Sequence, residues 1–210
     1  MAAKLPITKN RIRNHFHYFW WQYLLLAIFA VFGWNLLYTT THYRSPEHLR
    51  MEWYYEGYMS NETTPLATAL MEQIKPDLYP DMEEVMFTNV GNDETYGDMQ
   101  LLVWTAAGQG DLSMLTGERF RTLAASGGMT DLTPYIEDGT LNVEGIDLSG
   151  GYVTDTETGK RILYGIPTDV LTGLIEYDID YRAKVMSVLI TGGNEAETIQ
   201  LLSWLLDNMR

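Results

Sequence analysis

The stretch GDLSMLTGERFRTLAASGGMTDLTPYIED, Gly110 to Asp138, decides the fold. Asp111-Leu112-Ser113-Met114-Leu115 reads as a short buried strand. Thr116 is placed to supply an N-cap oxygen, and Phe120, Leu123 and Ala124 fall on one face of the helix that follows. Gly127-Gly128 ends that helix, because glycine takes the left-handed C-cap geometry without steric cost. Thr130 to Ile136 is a second polar-cap-then-turn segment, closed by Pro134. A strand that runs straight into a helix leaves backbone N–H groups facing the space beyond the strand's end. In open α/β sheets that is where ligands sit.

Upstream, Glu52 to Met59 (EWYYEGYM) is aromatic-rich, as a first strand would be. Thr64 and Pro65 open a helix with Leu66, Ala69, Leu70 and Ile74 at helical spacing, and Pro76 and Pro80 break it. Val85 to Val90 is a second strand. Asn92-Asp93-Glu94 starts a helix carrying Met99, Leu102, Val103 and Ala106 on one face, stopped by Gly108 and Gly110. Strands alternating with helices predict an α/β domain with a mostly parallel sheet flanked by helices. Downstream, Tyr152 to Asp155 and Arg161 to Tyr164 flank a hairpin turn at Thr158-Gly159-Lys160. Val185 to Ile190 is a further strand, and Asn194 with Glu197 forms a capping-box-like start to a last helix with Ala196, Ile199, Leu202 and Leu206 inward.

The segment DLSMLTGERFRTLAASGGMTDLTPYI resembles a first-lobe segment of bacterial extracellular solute-binding proteins, the sugar-type receptors of ABC transporters. Tyr164-Gly165-Ile166-Pro167 is similar to the point at which that family crosses from its first lobe to its second, and Leu174 to Asp178 looks like the strand after the crossing. The final strand, glycine loop and helix are similar to a late element of the family. The resemblance covers residues 50 to 206, yet only Tyr177 to Lys184 stand where the family has most of a second lobe. It therefore implies a periplasmic-binding-protein-like α/β domain reduced to about one lobe.

Residues 1 to 15 are polar and basic, and Phe16 to Tyr38 contains no Lys, Arg, Asp or Glu. The length matches the roughly 20 residues that cross a bilayer core. Trp20, Trp21 and Tyr23 near one end and Trp34 and Tyr38 near the other sit where interfacial aromatic belts do. A small-x-small cleavage site is missing after it, so the reading is a retained transmembrane helix over 16–38 rather than a signal peptide. Lys4, Lys9, Arg11 and Arg13 put the N-terminus in the cytoplasm, followed outside by a linker over 39–50 and an extracytoplasmic domain over 51–210. The expected location is the cell membrane, in a single pass.

Residues 1–43 carry +4, and the rest holds 28 acids against 10 bases, a net −18. Such an acidic body repels phosphates, which argues against nucleic acid. No cysteine is present, so disulfides and thiolate chemistry are excluded. His15, His17, His42 and His48 lack zinc spacing, and the phosphate-loop, dinucleotide and serine-elbow motifs are missing. The reading is no enzyme, no metal and no cofactor. The candidate ligand surface is the set of loops after the strands: Glu56 and Tyr58 after the first, Glu118 and Arg119 at the helix start, and Thr168 and Asp169 at the crossing. Aromatic faces stack on sugar rings while carboxylates accept from hydroxyls. For each residue the structural alternative is that Tyr58 packs on the sheet edge and Arg119 pairs with nearby acids. The function expected first is binding of a carbohydrate or similar polar solute for an ABC transporter permease. The alternative is a lobe without ligand that serves as structural or sensory partner of another membrane protein.

Overall fold

The computed structural model describes residues 9–43, 45–57, 63–91, 93–154, 159–190 and 193–210. Lys4, Tyr58, Asn92 and residues 155–158 of the hairpin lie outside the described residues. The chain divides into two units, one ending at Arg44 and the other spanning Ser45–Arg210.

The first unit is a single helix, α1 (Lys9–Thr41), of 33 residues. Ile12–Thr41 has mean hydropathy 1.6 and is long and apolar enough to cross a membrane. Thr39, Thr40 and Thr41 turn their hydroxyls back onto carbonyls of the preceding turn, so the exit of the helix satisfies its own polar groups.

The second unit is built on a five-stranded sheet. Its strands are β1 (Arg50–Glu56), β2 (Glu84–Val90), β3 (Leu112–Thr116), β6 (Ile166–Pro167) and β7 (Lys184–Val188), in the order β2-β1-β3-β7-β6. β1 lies parallel to β2 and to β3, whereas β7 is antiparallel to β3 and to β6. Four strands thus point one way and β7 opposes them, which makes the sheet mostly parallel. β4 (Tyr152–Thr154) and β5 (Arg161–Leu163) form the expected separate hairpin.

Both faces of the sheet are covered, which is why β1 reads as a continuous aromatic run rather than an alternating one. Met51, Trp53 and Tyr55 face Leu70, Met71 and Ile74 of α2 (Thr63–Leu78) and Ile199, Leu202 and Leu206 of α6 (Glu195–Asn208). Tyr54 points the other way, into Leu101 of α3 (Glu94–Ala106) and Phe120 and Leu123 of α4 (Gly117–Ala125). A short α5 (Thr133–Glu137) follows, with Pro134 in its first turn. Ser113 and Ser187 are fully buried on the paired β3 and β7, and their hydroxyls bond to each other at 2.7 Å.

Several local expectations are corrected. Leu174 to Asp178 is no strand: Thr172–Tyr177 is a 3-10 turn, in which the Leu174 and Asp178 N–H groups go to the nearby Leu171 and Ile175 carbonyls at 3.1 and 3.0 Å. Pro76 does not break α2, which runs on to Leu78, since a proline in the last turn forfeits a single helical bond. Thr116 makes no side-chain cap bond, and neither does Asn194, whose amide instead reaches the Arg50 carbonyl at 2.8 Å and Asp111 Oδ1 at 3.1 Å. Ala196 is exposed rather than inward. Met99, Leu102, Val103 and Ala106 do share a face of α3, but it is the outer one.

Candidate functional site

Strand register places the candidate residues along one edge of the sheet. Glu56, the last residue of β1, lies beside Val90, the last of β2, and Thr116 at the end of β3 lies opposite Lys184 at the start of β7. Pro167 pairs with Val185, which puts Thr168 at the same edge. The structure therefore brings Glu56, Glu118, Arg119, Thr168 and Asp169 to the carboxyl ends of the strands, as the sequence implies.

What these side chains do there differs from the expectation. Arg119 is 6% exposed, with Nε 2.6 Å from Asp98 Oδ1 and Nη1 3.2 Å from Glu56 Oε1, and Nη2 donates to the Asp93 carbonyl at 3.0 Å. The other oxygen of Glu56 accepts from the Thr116 N–H at 2.7 Å, so one of the orphan donors at the strand-to-helix junction is satisfied. Gly97 makes room for the guanidinium, since a Cβ there would stand 2.7 Å from Arg119 Nη2 and 2.2 Å from the Gly91 carbonyl. The structural alternative for Arg119, pairing with nearby acids, is the arrangement found.

Thr168 is fully buried, and its hydroxyl reaches the carbonyls of Tyr181 and, at 3.0 Å, Lys184. Asp169 Oδ1 accepts from the Ala183 N–H at 3.0 Å, bracing a non-glycine residue held at φ +53°. Lys184 is itself buried, its ammonium bound by the Asp180 carbonyl at 2.5 Å and the Asp180 carboxylate at 2.8 Å, 5.1 Å from the centre of the Tyr55 ring. That hydrogen bond from Lys184 holds the Asp180 carboxyl below the usual carboxylate range. Burial pushes the Tyr55 phenol up, reinforced by the charge of Asp180. Glu118 is exposed.

Asp93, Gly97, Asp98, Asp180 and Lys184 belong to this edge although the sequence reading did not single them out for it. Only Asp180 and Lys184, four residues apart, carried a local signal. Asp111 does comparable work at the opposite edge, where its carboxylate accepts from the Glu52 N–H at 2.7 Å. Among the described residues no group of three or more His, Asp or Glu side chains converges as a metal site.

No protein-family model and no curated protein matches the chain. Among solved structures it is similar to family 1 extracellular solute-binding proteins. One from Alicyclobacillus acidocaldarius is 19% identical, with a TM-score of 0.42, over 60% of this chain and 29% of that one. An ABC substrate-binding protein of Listeria monocytogenes, in complex with cycloalternan, is 20% identical, with a TM-score of 0.40, over 55% and 28%. The galacto-N-biose-/lacto-N-biose I-binding protein of the ABC transporter from Bifidobacterium longum is 17% identical, with a TM-score of 0.42, over 64% and 33%. The matched part spans about a third or less of the length of these proteins.

Proposed function

We propose that the chain is a membrane-anchored, solute-binding-like lobe that acts as a structural or sensory partner of another membrane protein, and does not enclose a solute by itself. The observation that carries this reading is the state of the strand-end edge. Glu56 is committed to Arg119 and to the Thr116 N–H, Arg119 to Glu56 and α3, Thr168 to two carbonyls, and Asp169 to the backbone of Ala183. Most of the polar atoms in these groups are bound within the protein, and releasing them costs the pairings; Arg119 Nη1 stands 3.2 Å from the Glu56 carboxylate as an ion pair without a hydrogen bond of its own. The crossing supports the same view: Thr168 returns to Lys184 through a 3-10 turn and a tight loop, so no second lobe stands between them to close on a ligand. The hydropathy of α1, the aromatics flanking its apolar stretch and the bases ahead of that stretch support an anchor with the sheet domain outside.

The test is thermal unfolding of the full chain in detergent with a panel of mono- and oligosaccharides. A ligand at a hundred times its dissociation constant stabilises by about 2.7 kcal/mol, a shift of several degrees. A flat response is expected. A reproducible shift with one sugar class overturns the proposal and restores a carbohydrate receptor working with an ABC transporter permease. In host membranes, a photo-crosslinker at exposed Glu118 is expected to trap a discrete membrane protein.

A further inference from the structure

α1 carries its bases and its apolar stretch on one rod. It is an uninterrupted helix from Lys9 to Thr41, so helix geometry fixes where the bases stand relative to the apolar residues. Lys9, Arg13 and His17 recur at i, i+4 and i+8 and share one face, all three exposed. Trp20 and Trp21, 60% and 50% exposed, continue that face into the apolar stretch. His15 lies off it and is engaged elsewhere: its Nε2 stands 2.6 Å from the Tyr23 hydroxyl, and its ring centre 4.8 Å from that of Phe19. Among the described residues no ion pair involves Lys9 or Arg13, and no Asp or Glu occurs in the chain before Glu47. The face therefore holds two cations with nothing to neutralise them, and it leads directly into tryptophans and hydrocarbon.

We propose that this face is a binding site for the headgroup of an anionic phospholipid. Lys9 and Arg13 meet the lipid's negative charge, His17 offers a ring N–H in either charge state, and the indole N–H groups of Trp20 and Trp21 donate at the ester level. The proposal rests on the reading of α1 as an anchor. Charge complementarity selects an anion, and the rest of the face selects its source. An occupant that covers the whole face must carry its charge at one end and apolar chains at the other. A soluble acidic segment matches the basic turns alone. Dimensions agree: Lys9 to His17 rises about 12 Å, enough to pass through a headgroup layer about 5–8 Å deep. A Lys or Arg beside an anionic membrane surface is worth about fivefold in affinity.

The test reconstitutes the full chain in phosphatidylcholine vesicles with a minority of phosphatidylglycerol, brominated on the acyl chains of one lipid or the other, and reads tryptophan quenching. The part of the quenching lost in the Trp20→Phe, Trp21→Phe chain reports this end of α1. At low salt the relative affinity there for phosphatidylglycerol over phosphatidylcholine is expected to be about fivefold or more. It is expected to fall toward one at 1 M salt, where the screening length is about 3 Å. Lys9→Gln with Arg13→Gln is expected to lower it about fivefold, whereas Lys4→Gln with Arg11→Gln removes the same charge, leaves the face intact and retains most of it. Equal quenching by the two labelled lipids overturns the proposal with the anchor still standing, the result expected when an acidic protein segment is the occupant. The proposal is equally overturned if the two double variants lower the preference alike, since the attraction is then diffuse. If neither label quenches Trp20 and Trp21, α1 is not in the bilayer, and the anchor and this proposal fail together.

Discussion

Replacing Arg119 with methionine tests the central claim about the strand-end edge. The substitution keeps the aliphatic stem and removes a guanidinium that is 6% exposed and tied to Glu56, Asp98 and the Asp93 carbonyl. Breaking a buried ion pair from one side costs about 3–5 kcal/mol, mostly because the remaining charge stays buried. Asp98 is 38% exposed and recovers water, and Glu56 keeps its bond to the Thr116 N–H, so the low end of about 3 kcal/mol applies. For a domain of this size each kcal/mol moves the melting temperature by roughly 2–4 °C, giving a fall of about 6–12 °C. The assay is near-ultraviolet circular dichroism of the full chain in detergent, which follows the packing of buried Trp53, Tyr54 and Tyr55. Glu56→Gln combined with Arg119→Met is expected to recover part of the loss, because no unpaired charge then remains at Glu56. If Arg119→Met melts within about 2 °C of the parent, the guanidinium is not holding α3 and α4 to the sheet and the saturated-edge argument fails.

Three further outcomes follow from single features. Ser113→Ala is expected to cost about 1–3 kcal/mol by stranding the buried Ser187 hydroxyl, while the Ser113→Ala, Ser187→Ala pair comes out near neutral in urea unfolding. Ala183→Gly relieves the φ of +53° and is expected to raise stability by up to about 1 kcal/mol; a loss in urea unfolding would show that its methyl packs usefully. Asp180 titrates below its ordinary value when folded, so its contribution is present at neutral pH and is lost as pH falls below about 4 through the folded value. The stability gap between the parent and Asp180→Asn should therefore narrow below about pH 4, read from urea midpoints across an acid series.

The alternation of strand and helix was legible because it is written in local pattern: the run around Tyr54, the capping Asp93, and Gly127, which has φ +78° at the end of α4. Glu56, Arg119, Thr168 and Asp169 were legible as residents of the strand ends. Their engagements were not, because Arg119 meets Asp98 and Asp93 across 21 and 26 residues, distances over which local patterning says nothing. Leu174 to Asp178 misled because a short apolar run has no period of its own, and in the structure its N–H groups close local turns onto Leu171 and Ile175. On α3, helical spacing correctly grouped Met99, Leu102 and Val103, but spacing reports which residues share a face and not whether anything covers it.

The reversed strand β7 has a consequence for synthesis. It is the partner of both β3 and β6, so β3 has an open edge from the time Thr116 is made until Val188 follows, roughly 70 residues later. At about 5–20 residues per second a nascent chain spends roughly 4–15 s with that apolar strand edge unpaired. During this interval the emerging domain depends on holdase protection or on the slowness of competing strand pairing. A ribosomal pause before Lys184 would lengthen that exposure, whereas one after α6 would not.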